Sequence, residues 1–287
     1  MTVATGGFVR LPGFDLTPEQ VMADANSHGP FVARIVLFSG GGDSTAVLHY
    51  AMARGWADEA AFVDTGTALP GVRAHVETVC TDWGVPLTVW DAGDAYEKMV
   101  LNPLLGFPGP GQHPRAYQRL KERQLRRLVA SKKTHVRDRV LFVSGVRRHE
   151  SKRRASRPAV SREGATVWAN PLTDWTDQQM STYKRAYDLP QSDVSALMHS
   201  SGECGCGAFA APGEREMRCS LFPEWGRWLV DLEQRAEAAG VENCRWGERP
   251  GEPAEAGPMC SSCQMALDIR EADAVVLAVH SGTGRAA

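Results

Sequence analysis

The period of the apolar positions changes several times along the chain, and each change marks an element. Arg34-Ile-Val-Leu-Phe38 is a nearly unbroken apolar run, as in a strand buried on both faces, and it stops at Ser39-Gly-Gly-Gly-Asp-Ser44. Thr45 to Ala53 then has helix length and is closed by Gly55. Strand, glycine turn and helix together open an α/β unit. Further strands are predicted at 60–64, 87–90 and 140–144, with helices over 18–26, 71–83 and 116–130. This alternation predicts an α/β fold, a doubly wound parallel sheet with helices on both faces and ligands at the carboxyl ends of its strands.

Residues 102–114 hold 3 Gly and 4 Pro, too many for regular structure, so they are expected to form a loop, either a lid or a connector. In the helix that follows, Arg119, Arg123, Arg126 and Arg127 share one face at α-helical spacing, and Tyr117, Leu120 and Leu128 are expected to face the sheet. Beyond about residue 196 the pattern becomes Gly- and Cys-bearing turns around one helix, 223–239, with an apolar stripe of Trp225, Trp228, Leu229, Leu232 and Ala236. The chain therefore divides into a leader over 1–33, an α/β domain over 34–195 and a smaller C-terminal unit over 196–287.

Composition adds little until the charges are located. The 287 residues carry 32 Lys and Arg against 34 Asp and Glu, a net of -2 and an ordinary globular balance. Yet 17 of those basic residues, and only 3 acidic ones, lie within 115–162. A net of about +14 there can attract phosphate or sulfate groups, a nucleic-acid backbone included, whatever the total. The longest clearly apolar run, Ala274 to Val279, is far too short to span a bilayer, and the first residues lack a secretory pattern, so a cytoplasmic protein with no membrane partner is expected.

The turn Ser39-Gly40-Gly41-Gly42-Asp43-Ser44 suits a phosphate group. Glycines admit an anion close to the backbone, N–H groups converge, the helix N-terminus adds partial positive charge, and Ser39 and Ser44 offer hydroxyls. With no Gly-Lys-Ser/Thr ending, it is not the other common phosphate loop. The string resembles the SGGxDS signature of the PP-loop ATP pyrophosphatases, whose relatives include phosphoadenylyl-sulfate (PAPS) reductases, sulfate adenylyltransferases and enzymes that thiolate tRNA and DNA. Phe62-Val-Asp64-Thr65-Gly66, Ser144-Gly145-Val-Arg147-Arg148-His-Glu150-Ser151-Lys-Arg153-Arg154, Asn170 to Thr176 and Tyr183 to Pro190 sit where that resemblance expects motifs, and the last two are similar to the PAPS reductase branch.

The resemblance implies a Rossmann-like, HUP-type nucleotide-binding domain over 34–195 that uses ATP and Mg²⁺. It gives Ser39 to Ser44, Asp64, Thr65, Gly66 and Gly145 to the nucleotide and Asp43, Ser44, Arg147, Arg148, Glu150 and Arg153 to catalysis. The arginines read independently as fork-like donors for a tetrahedral oxyanion, a phosphate- or sulfate-bearing substrate.

Two close cysteine pairs, Cys204-Gly-Cys206 and Cys260-Ser-Ser-Cys263, can converge on one Cys₄ site holding zinc or an iron–sulfur cluster. The resemblance favours a [4Fe-4S] cluster. Cys219 and Cys244 could replace a ligand or deliver sulfur, whereas Cys80 reads as a packed thiol. PAPS reductases have a loop altered from SGGxDS and a Glu-Cys-Gly-Leu-His-type nucleophile motif; here the loop is intact, and Cys206-Gly207 follows Glu203-Cys204-Gly205. The leading expectation is an ATP-dependent, adenylating and pyrophosphate-releasing sulfurtransferase that thiolates a nucleic acid held by 115–162 and draws on a sulfur donor. Alternatives are a PAPS or adenylyl-sulfate reductase working with a thioredoxin-like reductant, and a zinc-stabilised nucleic-acid-binding module without catalysis.

Overall fold

A computed structural model describes residues 15–151 and 154–248. Helix α1 (Pro18–Ser27) starts on a reciprocal cap between Thr17 and Gln20 and buries Val21, Met22 and Ala25. Strand β1 (Ala33–Leu37) leads into α2 (Gly42–Met52), followed by β2 (Glu59–Asp64), α3 (Val72–Asp82), β3 (Leu87–Asp91) and α4 (Ala95–Val100). Next come α5 (His113–Tyr117), a π turn over Gln118–Glu122 and α6 (Arg123–Lys132). Strands β4 (Val140–Val143), β5 (Val160–Glu163) and β6 (Thr166–Ala169) complete the sheet, and α7 (Asp177–Ala186), α8 (Asp193–Met198), α9 (Glu214–Leu221) and α10 (Pro223–Ala238) follow.

The fold is α/β, with six strands in the order β3-β2-β1-β4-β6-β5. All neighbours pair in parallel except β5 and β6, an antiparallel hairpin at one edge that the sequence pattern left unmarked. Because the chain runs outward from β1 through β2 to β3, then returns to place β4 on the other side of β1, the order reverses between β1 and β4. A crevice opens there at the carboxyl ends of the strands.

Alternation along the strands feeds two apolar layers. Val36, Phe38, Leu141 and Val143 face the larger core with α2, α3 and α10, while Ile35 and Phe142 pack with Leu125 and Leu128 of α6. Trp225, Leu229, Leu232 and Ala236 of α10 join the larger core, as the stripe anticipated.

The basic helix departs from expectation in one instructive way. Ala116 and Leu120 are buried and Tyr117 is 40% exposed, while Leu125 and Leu128 are buried further on. The five-residue step from Leu120 to Leu125 is the spacing of the π turn, which admits one extra residue and rotates the preceding turn. Tyr117 is thereby turned away from the sheet, and Lys121 is turned toward the crevice.

Candidate functional site

A cleft of about 1040 Å³ opens at the reversal point. Ser39, Gly41 and Ser44 line one end of it, and Cys204 and Cys206 line the other.

At the phosphate end, Gly40 has φ +76°, a backbone conformation that glycine adopts without strain. Ser44 Oγ donates to Gly41 O at 2.8 Å and accepts from Ser39 Oγ at 3.0 Å, closing the turn. Gly145, after β4, runs so close that a Cβ there would stand 2.9 Å from Asp43 O. The two loops flanking the crevice are thus in backbone contact.

The arginines after β4 are bound to the protein itself. Arg147 is 5% exposed; its Nε donates to Asp43 Oδ2 at 2.7 Å, and its other nitrogens reach Asp177 at 3.0 Å and Trp175 O at 3.1 Å. Arg148 pairs with Asp174 at 2.8 Å and donates to Arg157 O at 2.9 Å, and Arg154 pairs with Glu150. Burial pushes the Glu150 carboxyl up, against the pull of Arg154. The stretch Asn170 to Thr176 is the socket for these groups: Asp174 and Trp175 receive arginines, and Thr176 caps α7. The sequence gives Arg147 and Arg148 to a substrate oxyanion, whereas here the Arg147 guanidinium ties the glycine loop to α7 and that of Arg148 ties Asp174 to the carbonyl of Arg157. Local spacing could not reveal this, because the carboxylates come from distant parts of the chain. Arg153 lies outside the described residues.

Asp64, Thr65 and Gly66 end β2 but do not line the cleft. Asp64 accepts from Gly66 N at 3.0 Å, and the buried Thr65 hydroxyl donates to Glu203 O at 2.8 Å. Of the three, Thr65 braces the cysteine turn, while Asp64 closes its own turn and faces Arg73 at 3.7 Å. Gly205 N donates to Thr67 Oγ1 at 3.0 Å, Tyr96 OH to Cys206 O at 3.0 Å and Trp246 Nε1 to Gly205 O at 2.7 Å, so this turn is tied down on several sides.

Within it, Cys204 is held well below the ordinary thiol range, at about 6, by the Cys206 thiol first and then by Lys121, against burial. Cys206 is pushed up in turn by its neighbour and by burial. Lys121 Nζ sits 2.8 Å from Glu203 Oε2, placed there by the π turn. Arg218, 5% exposed and paired with Glu214 at 2.7 Å, leaves its NH1 without a partner, 3.3 Å from where a Cβ on Gly205 would stand. The buried Arg218 N–H with no acceptor fits an anionic group at this end, and the lowered Cys204 thiol fits a nucleophile or a metal ligand. Among the described residues no three His, Cys, Asp or Glu are arranged to hold a metal ion, and Cys260 and Cys263 lie outside those residues. Cys204 and Cys206 thus furnish two thiols of the expected four. Cys80 is buried, as anticipated, with its thiol raised to about 11 by burial.

Lys121, Glu203, Lys184 and Arg218 line the cleft and escape the sequence reading. The five-residue apolar step signals Lys121; nothing local signals the others.

This loop, sheet order and cysteine turn define an α/β protein of nucleotide-binding type whose glycine loop and two thiols line one cleft. The phosphoadenosine phosphosulfate reductase domain model matches residues 33–196, and the chain belongs to that family. The adenosine 5'-phosphosulfate reductase of Chelativorans sp. (strain BNC1) is 30% identical over 104 residues, 35% of this chain and 40% of that protein's length. Among solved structures, a phosphoadenylyl-sulfate (PAPS) reductase from Candida auris in a phosphate complex gives a TM-score of 0.48 at 16% identity, covering 64% of this chain and 86% of that one. The U34-tRNA thiolase NcsA from Methanococcus maripaludis with its [4Fe-4S] cluster gives 0.43 at 12% identity, covering 86% of each chain. No helix among the described residues is long and apolar enough to cross a membrane.

Proposed function

We propose that the protein is an adenylating, pyrophosphate-releasing sulfurtransferase that activates its acceptor with ATP and thiolates a nucleic acid. The observation that carries this reading is the single cleft joining an intact SGGGDS loop to the Cys204 thiol.

ATP enters as its Mg²⁺ complex and lays its phosphates on the backbone N–H groups at the start of α2. An oxygen of the acceptor attacks the α-phosphorus, the bond to the β-phosphate breaks, and pyrophosphate leaves. A hydrosulfide-level sulfur nucleophile, delivered by an external sulfur donor to the cysteine-lined part of the cleft, then attacks the adenylylated centre. AMP departs with the oxygen, leaving the thiolated product. A [4Fe-4S] cluster, or zinc in its place, would be held by Cys204 and Cys206 with Cys260 and Cys263, and would supply a Lewis-acidic metal to bind sulfur. Rate enhancement comes mainly from positioning and from neutralising the leaving pyrophosphate. Arg115, Arg123 and Arg127 are exposed on the same helical segment whose Tyr117 and Lys121 line the cleft, which supports a polyanionic acceptor beside its mouth.

The test is pyrophosphate release from ATP by the purified full chain, with and without DNA or tRNA and a sulfide source. Acceptor-dependent release supports the reading, and its absence with every acceptor defeats it.

A second reading draws on family membership and on Cys204 as a lowered-pKa nucleophile. In it the thiolate attacks the sulfur of a nucleotide sulfate, the nucleotide phosphate leaves, and a dithiol reductant of the thioredoxin class releases sulfite and becomes a disulfide. Sulfite formed from a nucleotide sulfate without ATP would favour it.

A further inference from the structure

We propose that Lys184 is the polyphosphate-recognising residue of this site, the group that makes it prefer a nucleoside triphosphate to a monophosphate. The inference deepens the ATP reading and rests on it.

The cleft contains several cations, but most already have short carboxylate partners. Lys121 is held by Glu203 at 2.8 Å, Arg147 by Asp43 at 2.7 Å and Asp177 at 3.0 Å, Arg218 by Glu214 at 2.7 Å, and Arg154 by Glu150. Lys184 is different. Its nearest carboxylate among the described residues is Asp43 at 3.8 Å, whose other oxygen is taken by Arg147. The Lys184 side chain is 35% exposed on the cleft wall, free to reach a ligand.

Its position is specific. The ammonium stands 2.8 Å from where a Cβ on Gly42 would be, at the first residue of α2. A side chain at 42 would therefore push the amine aside. An ammonium at a helix N-terminus meets the positive end of the helix dipole, an unfavourable arrangement that an anion lying between them reverses. Ser200 Oγ, in the segment folded against Gly41, also lacks a partner and lines the same space.

The loop contains no lysine, so α7 supplies one from 140 residues further along the chain, through the Thr176 cap and the Arg147–Asp177 pair that fix the start of that helix. The backbone N–H groups at the start of α2 and the Lys184 ammonium beside Gly42 hold the chain of phosphates between them. Arg185, exposed beside it on the cleft rim, adds charge for the same group.

The experiment is calorimetric titration of the full chain with Mg·ATP and with AMP, for the wild type, Lys184→Met and Gly42→Ala. Lys184→Met is expected to weaken ATP by about tenfold or more and AMP by less than about twofold. Gly42→Ala, which displaces the amine without removing it, is expected to weaken ATP in the same sense, and thermal melts establish that both variants are folded. Equal loss of ATP and AMP, or ATP affinity unchanged in Lys184→Met, overturns the assignment while leaving the nucleotide site standing. Failure of the wild type to bind either nucleotide overturns the ATP reading itself, and this assignment with it.

Discussion

Gly145 shows how one missing side chain holds the site together. A Cβ there would stand 2.9 Å from Asp43 O and 3.1 Å from Ser44 N, so Gly145→Ala should cost about 1–3 kcal/mol in urea unfolding and reduce nucleotide affinity by prising the two loops apart. The Arg147–Asp43 pair predicts a related loss. Asp43→Ala leaves a buried guanidinium with only Asp177 opposite it, and should destabilise the fold by about 2–4 kcal/mol by the same assay. The glycine and serine positions of the loop were legible because they answer to local backbone geometry. The partners of Arg147 were not, since Asp43 is 104 residues away and only the fold brings it near.

Cys204 is a second case at this scale. In the metal-free chain its alkylation by iodoacetamide should be nearly complete in rate by pH 7 and fall away below about 6, and Lys121→Met should move that midpoint upward because a cation facing the thiolate is lost. Cys80, raised to about 11 by burial, should stay unreactive across the same range.

Among the elements, the segment from α5 through the π turn to α6 carries the clearest lesson. A purely α-helical reading places Tyr117 on the sheet side, but the apolar steps from 116 to 120 to 125 to 128 contain one interval of five, which only a π turn accommodates. Leu120→Ala should therefore cost about 2–5 kcal/mol and Tyr117→Ala much less, compared by urea midpoints. The β5–β6 hairpin went unseen for a different reason. Its strands are four residues each, β5 carries Ser161, Arg162 and Glu163, and the turn is signalled only by Gly164 at φ +60°. The stripe of α10 was legible because five apolar positions recur at helical spacing. The clamping of the cysteine turn by Thr65, Thr67, Tyr96 and Trp246 was not, since these groups come from the loop after β2, from α4 and from beyond α10, all distant in sequence.

Across the whole molecule, the dense positive block at 115–162 divides into two populations. Lys121, Lys132, Arg147 and Arg148 are paired with Glu203, Glu59, Asp43 and Asp174, carboxylates elsewhere in the chain. These ties organise the fold, and Arg115, Arg123, Arg126 and Arg127 are left exposed on α5 and α6. Acid sensitivity also belongs to this scale. His49 and His75 are both lowered from the ordinary imidazole value of 6.5, first by burial. The unfolded chain then binds more protons below that value, so their contribution is complete above about pH 6.5 and is lost as pH falls through the lower folded values. Urea midpoints at pH 7.5 and pH 5 should show the drop, and His75→Gln should show a smaller one.

The most direct test of the central claim is product analysis of ATP turnover by the anaerobically purified full chain with nucleic acid and sulfide. The account predicts AMP and pyrophosphate in equal amounts, matched by sulfur incorporated into the nucleic acid and lost in Asp43→Ala. Formation of ADP and phosphate, or sulfite released from a nucleotide sulfate with no ATP consumed, would contradict it.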